Sequence, residues 1–224
     1  MPFDRVLKRI WRASRPFLPQ RLDRPVARVR DVLALTSFVL AGTNHLSLKG
    51  RWRLAIGLDR VQRHVSCLHT QVEILRYCEA ILALSADCPG VILEAGCYKG
   101  GSTAKLSLAA AAVGRHIVVY DSFVGLPKHD EPHDRNMFGG RADFYQGQYA
   151  GALTEVLSNV ANYGALASCT FVPGWFEDTL PSLKDAVALA VLDVDLVDST
   201  RDCLKHLWPR LSPGGCVFSH DGHL

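Results

Sequence analysis

The chain has 224 residues, 48% of them hydrophobic and 21% charged, with seven cysteines scattered singly at 67, 78, 88, 97, 169, 203 and 216. That composition excludes a disordered, collagen-like or low-complexity chain, and the odd, unpaired cysteine spacing argues against a zinc ribbon or disulfide scaffold and for reduced thiols in a cytoplasmic protein. The net charge of +3 conceals a split: residues 1–80 hold 15 Lys/Arg against 6 Asp/Glu, residues 81–224 hold 10 against 16, so two parts with different jobs are expected.

The basic part comes first. Residues 1–30 carry nine Lys/Arg and only Asp4 and Asp23 as acids. Phe3, Val6, Leu7, Ile10 and Trp11, at spacings of three and four, define one apolar helical face with Arg5, Lys8, Arg9 and Arg12 elsewhere. Such a helix either makes peripheral contact with an anionic membrane or packs on its own domain or a second subunit, as in a homo-oligomer. Nucleic acid is not indicated, because aromatic residues are not interleaved with a sustained basic stripe. Residues 32–48 lack charge but are too short to cross a membrane, so they predict a buried helix ending near Gly42. Residues 61–84 keep the helical period through Val61, Val65, Leu68, Val72, Leu75 and Leu82, and predict another. The domain division expected is a basic helical extension over residues 1–60 and an α/β domain over 61–224.

From Gly90 the pattern changes. Short apolar runs at residues 91–95, 116–120, 169–172, 187–192 and 215–218 alternate with helical segments at 102–113, 148–163, 176–185 and 199–208. Continuous apolar runs separated by helices read as parallel strands covered on both faces, hence a doubly wound, Rossmann-like α/β fold with a mostly parallel sheet. Ligands of such sheets bind beyond the carboxyl ends of the strands. Acids stand at nearly every one of those ends: Glu94, Asp121, Glu177 with Asp178, Asp193 with Asp195, and Asp221. A half-ring of carboxylates repels itself unless cations or hydroxyl-rich ligands compensate.

The first loop, Glu94-Ala95-Gly96-Cys97-Tyr98-Lys99-Gly100-Gly101-Ser102, lets a ligand approach the backbone and the amides of the next helix. Its spacing is not that of a dinucleotide site, and an acid two residues before the first glycine disfavours a pyrophosphate and favours an ammonium or sulfonium group. Asp121 is placed for ribose hydroxyls or for capping its own turn through Ser122; Trp175 and Phe176 are placed to flank a purine or simply to pack. Residues 123–147 form a long insert that reads as a lid or a solvated loop, with His129 and His133 a weak metal pair.

Five stretches carry a family resemblance. They are the loop from Leu93 to Ser102, Tyr120-Asp121-Ser122-Phe123-Val124-Gly125-Leu126-Pro127, Gly174-Trp175-Phe176-Glu177-Asp178-Thr179-Leu180-Pro181, Leu192-Asp193-Val194-Asp195-Leu196 and Leu211-Ser212-Pro213-Gly214-Gly215. In this order they resemble class I S-adenosylmethionine-dependent methyltransferases and, more narrowly, the macrocin O-methyltransferase family, whose members methylate sugar hydroxyls on natural products with a divalent metal. The resemblance implies that Glu94, Gly96, Gly100 and Ser102 serve the methionine part of S-adenosylmethionine, Asp121 and Ser122 the ribose, and Trp175, Glu177 and Asp178 the adenine side. It also implies metal ligands at Asp193 and Asp221, with His220 where the family commonly has another aspartate: magnesium or manganese would be held by Asp193, His220 and Asp221, the histidine tilting the preference from magnesium toward manganese, iron or zinc, or the chain would work without metal. Asp193 and His220 are then the expected catalytic residues, His220 as ligand or base, acting on a small hydroxylated acceptor. Family members continue beyond the equivalent of Leu224, so the domain is expected to be C-terminally shortened. Two rivals are a nicotinamide enzyme, disfavoured by the missing glycine fingerprint, and a non-catalytic interaction or membrane-associated protein of the same fold.

Overall fold

Five parallel strands form the centre of the molecule, in the order β3-β2-β1-β4-β5. The computed structural model describes residues 20–41, 46–129 and 144–220. The strands are β1 (Val91–Ala95), β2 (Ile117–Asp121), β3 (Cys169–Pro173), β4 (Val187–Leu192) and β5 (Leu211–Ser219). The chain lays down β1, moves outward through β2 to β3, then returns to the other side of β1 for β4 and β5, so the order reverses between β1 and β4. A crevice opens at such a reversal because the connections leave it in opposite directions.

Side chains alternate between the two faces, apart from an irregularity at the start of β4, where Val187 joins the same core as Ala190. Ile92, Ile117, Val119, Leu189 and Val191 face one core; Leu93, Ala95, Val118, Tyr120, Ala190 and Leu192 face the other. The first core is the thicker. It is closed by α1 (Gln20–Leu40), α2 (Leu48–His64), α3 (Gln71–Leu82), α4 (Gly101–Ala112) and α5 (Leu153–Tyr163). On the other face lie α6 (Phe176–Thr179) and α7 (Val197–Leu207), with Leu180, Leu183, Cys203 and Leu207 buried. Each fully buried Leu or Ile contributes about 1.5–3 kcal/mol, so both faces stabilise the fold. α4 lies between the sheet and the other helices and is buried nearly all round, including Ser102, Thr103, Lys105 and Ser107. Its small residues let neighbours approach: a Cβ on Gly101 would come within 2.3 Å of the Ser66 carbonyl oxygen.

Several predicted elements differ from those observed. Residues 61–84 are two helices, not one: α2 ends at His64 and α3 begins at Gln71. A capping box starts α3, with the Glu73 N–H donating to Thr70 Oγ1 and the Thr70 N–H donating to Glu73 Oε2 at 2.7 Å. The helix predicted at 32–48 begins earlier and is only partly buried: Phe38 and Val39 are covered, Val32, Leu33 and Leu40 exposed. The segment predicted at 176–185 is one α-turn followed by a 3-10 turn, Leu180–Ser182, because Pro181 cannot continue the α-helical ladder. The helix predicted from 148 starts at Leu153, since the Gln148 carbonyl instead accepts from the Leu126 N–H. Residue 60 lies inside α2, whose Leu54, Leu58 and Val61 join the first core. The expected amphipathic segment at 3–18, His133 and Asp221 lie outside the described residues. No described helix is long and apolar enough to cross a membrane.

Candidate functional site

The loops after the strands are locked to one another through the backbone. Gly96 N–H donates to the Tyr120 carbonyl at 2.9 Å, Asp193 N–H to Ala95 at 2.9 Å, Gly174 N–H to Asp121 at 3.0 Å and His220 N–H to Leu192 at 2.8 Å. These bonds extend the sheet ladder past the strand ends and hold the first residues of every loop in register. Gly96 is required there twice over: its φ is +83°, and an added Cβ would lie 1.9 Å from the Asp193 carbonyl oxygen.

Asp121 ties two loops together. Its Oδ2 accepts from the Cys97 N–H and its Oδ1 from the Phe123 N–H, both at 2.7 Å. Charge-assisted bonds of this kind are about twice as strong as neutral ones. Ser122 closes the next turn, its Oγ donating to the Gly125 carbonyl at 2.7 Å. Asp121 therefore caps its own loop as well as facing the crevice; the two readings of it are compatible.

A cavity of about 260 Å³ opens over these loops. Of the residues singled out in the sequence, Gly96, Asp121, Ser122, Trp175, Glu177 and Asp193 line it, with Phe176 beside Trp175 and Asp195 beside Asp193. Leu68, Tyr98, Tyr149, Asp198 and Asp202 line it too, as do Lys128 and the sequence-predicted His129. Polar, acidic and aromatic surfaces thus meet in one crevice, a lining suited to a cationic ligand with a flat ring.

Other sequence-predicted residues stand elsewhere. Glu94 is 0% exposed and lies beneath the loop, because the pleat sends its side chain to the α4 face together with Ile92. There Thr103 Oγ1 donates to Glu94 Oε2 at 2.6 Å. Burial pushes the Glu94 carboxyl up to about 7, against the opposing pull of the Ser102 and Thr103 hydroxyls. Ser102 is buried on the same turn, and Gly100 supplies the left-handed N-cap of α4 at φ +78°. Neither Gly100, Ser102, Asp178 nor Glu94 lines the cavity. The expected half-ring of carboxylates is therefore narrower than the sequence suggests, and the loop-side acid supports the loop from below.

At the β4–β5 end a second group of side chains gathers. Asp193 Oδ1 and His220 Nδ1 are 2.8 Å apart, and Asp193 Oδ2 lies 3.6 Å from His69 Nδ1. The metal-ligating atoms of His69, Asp193 and His220 all fall within 4.8 Å of one another. His220 Nε2 faces Glu73 Oε2 at 4.0 Å. Burial lowers the His69 pKa, more than the nearby Asp193 raises it, and favours the neutral imidazole. Burial alone would raise the Glu73 carboxyl, but hydrogen bonds from Thr70 and the nearby His220 and His69 outweigh it and hold it below its ordinary value. His69 and Glu73 escaped the sequence reading. The signal that could have found them is the Thr70-x-x-Glu73 capping box, which starts a helix and places His69 immediately before it.

Comparison with known proteins brings this geometry into a wider context. Residues 59–224 match the model of a family described as Macrocin-O-methyltransferase (TylF). The chain is 39% identical over 170 residues to the 8-demethyl-8-(2,3-dimethoxy-alpha-L-rhamnosyl)-tetracenomycin-C 4'-O-methyltransferase of Streptomyces olivaceus, covering 70% of this chain and 63% of the relative. It is 37% identical over 151 residues to the mycinamicin III 3''-O-methyltransferase of Micromonospora griseorubida, covering 62% and 58%. The chain thus spans about three fifths of the length of these relatives. A solved structure of the O-methyltransferase NovP, 29% identical, aligns with a TM-score of 0.58 over 67% of this chain and 66% of that one.

Proposed function

Because the chain belongs to the macrocin-O-methyltransferase (TylF) family, we propose that it transfers the methyl group of S-adenosylmethionine to a sugar hydroxyl of a glycosylated natural product. The observation that carries the reading is the crevice at the β1/β4 reversal, in which Asp121, Trp175 and Asp193 face one cavity. The tetracenomycin relative is named as a 4'-O-methyltransferase of a rhamnosyl-bearing compound, which supports the acceptor class.

The residues present suit the cofactor. Asp121 and Ser122 offer oxygens for ribose hydroxyls, and Trp175 with Phe176 offers aromatic surface for adenine. Glu177 and Asp195 make the rim anionic, which complements a sulfonium. When bound, S-adenosylmethionine supplies an electrophilic methyl carbon on positively charged sulfur. The acceptor oxygen forms the new C–O bond as the S–CH₃ bond breaks, and the bonding pair stays on sulfur as the neutral thioether. The hydroxyl proton needs a destination. Asp193 faces the cavity with His220 at its Oδ1, so a proton taken from the acceptor passes to this carboxylate–imidazole pair. Alternatively, Asp193 and His220, with Asp221, would hold a divalent cation in place of acting as the base, and its chemistry there would be to polarise the acceptor hydroxyl. Fixing both reactants in one crevice supplies a further share of the acceleration.

Calorimetry of the full chain with S-adenosylmethionine, followed by methyl-label incorporation into hydroxylated glycosides, tests the reading. Replacing Asp193 by Ala is expected to cut methyl transfer roughly 10²–10⁴-fold, the usual contribution of an acid–base group, and to leave cofactor affinity little changed. Loss of cofactor binding in that variant would assign Asp193 to the donor rather than the acceptor. A folded sample that binds no S-adenosylmethionine would overturn the proposal.

A further inference from the structure

We propose that His69 joins Asp193 and His220 as a ligand of one cation site, and that a set containing two histidines takes a borderline divalent cation such as Zn(II) or Co(II) in preference to magnesium. The inference takes its place in the crevice from the reading above, but its geometry stands on its own. One ligand atom from each residue lies within 4.8 Å of the others, and the two Asp193 oxygens divide between the rings, Oδ1 at 2.8 Å from His220 Nδ1 and Oδ2 at 3.6 Å from His69 Nδ1. Two ligands on one ion, each bonded at ~2.0–2.2 Å, stand roughly 3–4.4 Å apart, so the set reaches coordination with shifts of a few tenths of an ångström.

A second observation concerns His69 itself. It is 3% exposed, and its Nε2 has no hydrogen-bond partner among the described residues. A buried imidazole in ordinary structure has its polar atoms satisfied by protein or ordered water. The other ring nitrogen of His69, Nδ1, is turned toward the Asp193 carboxylate at 3.6 Å, beyond a hydrogen bond, and the ring centroid lies 4.4 Å from that of His220. It is held there by Tyr77, edge-on at 5.6 Å, and by the capping box that begins one residue later.

The surroundings of His220 point the same way. With Nδ1 toward the site, its Nε2 faces the Glu73 carboxylate at 4.0 Å. A carboxylate behind a coordinating histidine orients the ring and raises its basicity. The donor chemistry then decides the metal. Magnesium takes oxygen ligands and keeps its waters, whereas two imidazole nitrogens favour the later first-row ions. The three ligands come from the connection between α2 and α3, the end of β4 and the end of β5. A bound cation therefore fastens the N-terminal helices to the sheet and stabilises the folded chain by mass action.

The test uses the full chain, stripped with chelator and titrated with Zn(II), Co(II) and Mg(II) in the absence of S-adenosylmethionine. One equivalent of Zn(II) or Co(II) is expected to bind and raise the melting temperature, with Mg(II) at least roughly tenfold weaker. His69→Ala is expected to weaken Co(II) binding by roughly 10–100-fold or more and to abolish the thermal shift. His69→Gln serves the same purpose if the alanine variant does not fold. X-ray absorption of the one-to-one Zn(II) wild type needs no variant: two coordinated imidazoles support the site, and one or none overturns it. Mg(II) binding as tight as Zn(II), or unaltered affinity in the His69 variants, also overturns it. Metal binding as expected in a chain that ignores S-adenosylmethionine would sink the methyltransferase reading and leave this one standing. Methyl transfer with magnesium and no tight Zn(II) site would do the reverse.

Discussion

On the β1–β2 flank of the crevice the chain is shaped by its backbone, whereas on the β4–β5 flank it is shaped by side chains from distant segments. The first flank turns through Gly96, Tyr98, Gly100, Phe123 and Gly125, all at positive φ, and Asp121 clamps the two turns through the N–H groups of Cys97 and Phe123. The second gathers His69, Glu73, Asp193 and His220 around shared contacts. Backbone shape cannot be altered without disturbing folding. Side-chain groups can be exchanged one at a time, so on the second flank chemistry and stability separate. A fold that holds its donor rigidly and varies the group facing the acceptor would be organised in this way.

Gly96→Ala strikes the first flank hardest. The alanine must adopt a left-handed backbone and its Cβ must displace the Asp193 carbonyl, which an added Cβ would meet at 1.9 Å. The left-handed strain and the overpacked contact together cost about 4 kcal/mol. Urea denaturation should show that loss, and S-adenosylmethionine affinity should fall with it. A variant within about 1 kcal/mol of the wild type would break the contrast between the flanks.

Glu94→Gln probes the same flank from beneath, through pH. The folded carboxyl titrates at about 7 against an ordinary 4.5, because burial disfavours the charge. Between those values the folded chain keeps a proton that the unfolded chain has released. The contribution of Glu94 is therefore fully present below pH 4.5 and is lost as pH rises through about 7. Some 2.5 pKa units correspond to roughly 3 kcal/mol over the whole window. Stability measured in urea at stepped pH should fall more steeply in the wild type than in the glutamine variant. Parallel slopes would place the Glu94 titration elsewhere.

Thr70→Ala makes the smallest change, on the second flank. It removes the N-cap of α3 and one partner of Glu73. About 1 kcal/mol of stability should disappear, and the S-adenosylmethionine affinity measured by calorimetry should hold. A large loss of cofactor binding would show that the two flanks are not independent.

Particular residues show how far the sequence could be read. The runs at 91–95 and 187–192 announced themselves as strands, because a strand buried on both faces is apolar throughout. Glu94 stood out as the one acid in such a run. Its direction was readable from the two-residue pleat, which puts it on the face of Ile92 rather than at the rim, but its place at a strand end suggested the rim. Asp178 shares the acidic character of Glu177 next door, yet only Glu177 lines the cavity. Nothing in the local pattern separates them, since a one-turn helix has no face long enough to read. The break between α2 and α3 was hidden because apolar residues keep the helical period across it.

Periodicity and backbone sterics act over a few neighbouring residues, so the amino-acid order alone was enough to place β1 to β4 within a residue or so and the turns that need glycine, whereas β5 begins at Leu211, four residues before its expected start. Only the tertiary structure decided that His69 meets Asp193 and His220, that Glu94 sinks below its loop, and which acids reach the crevice. Those outcomes depend on how the helices pack across the sheet and on where the connections return, and such distances are set by the whole core rather than by any one segment.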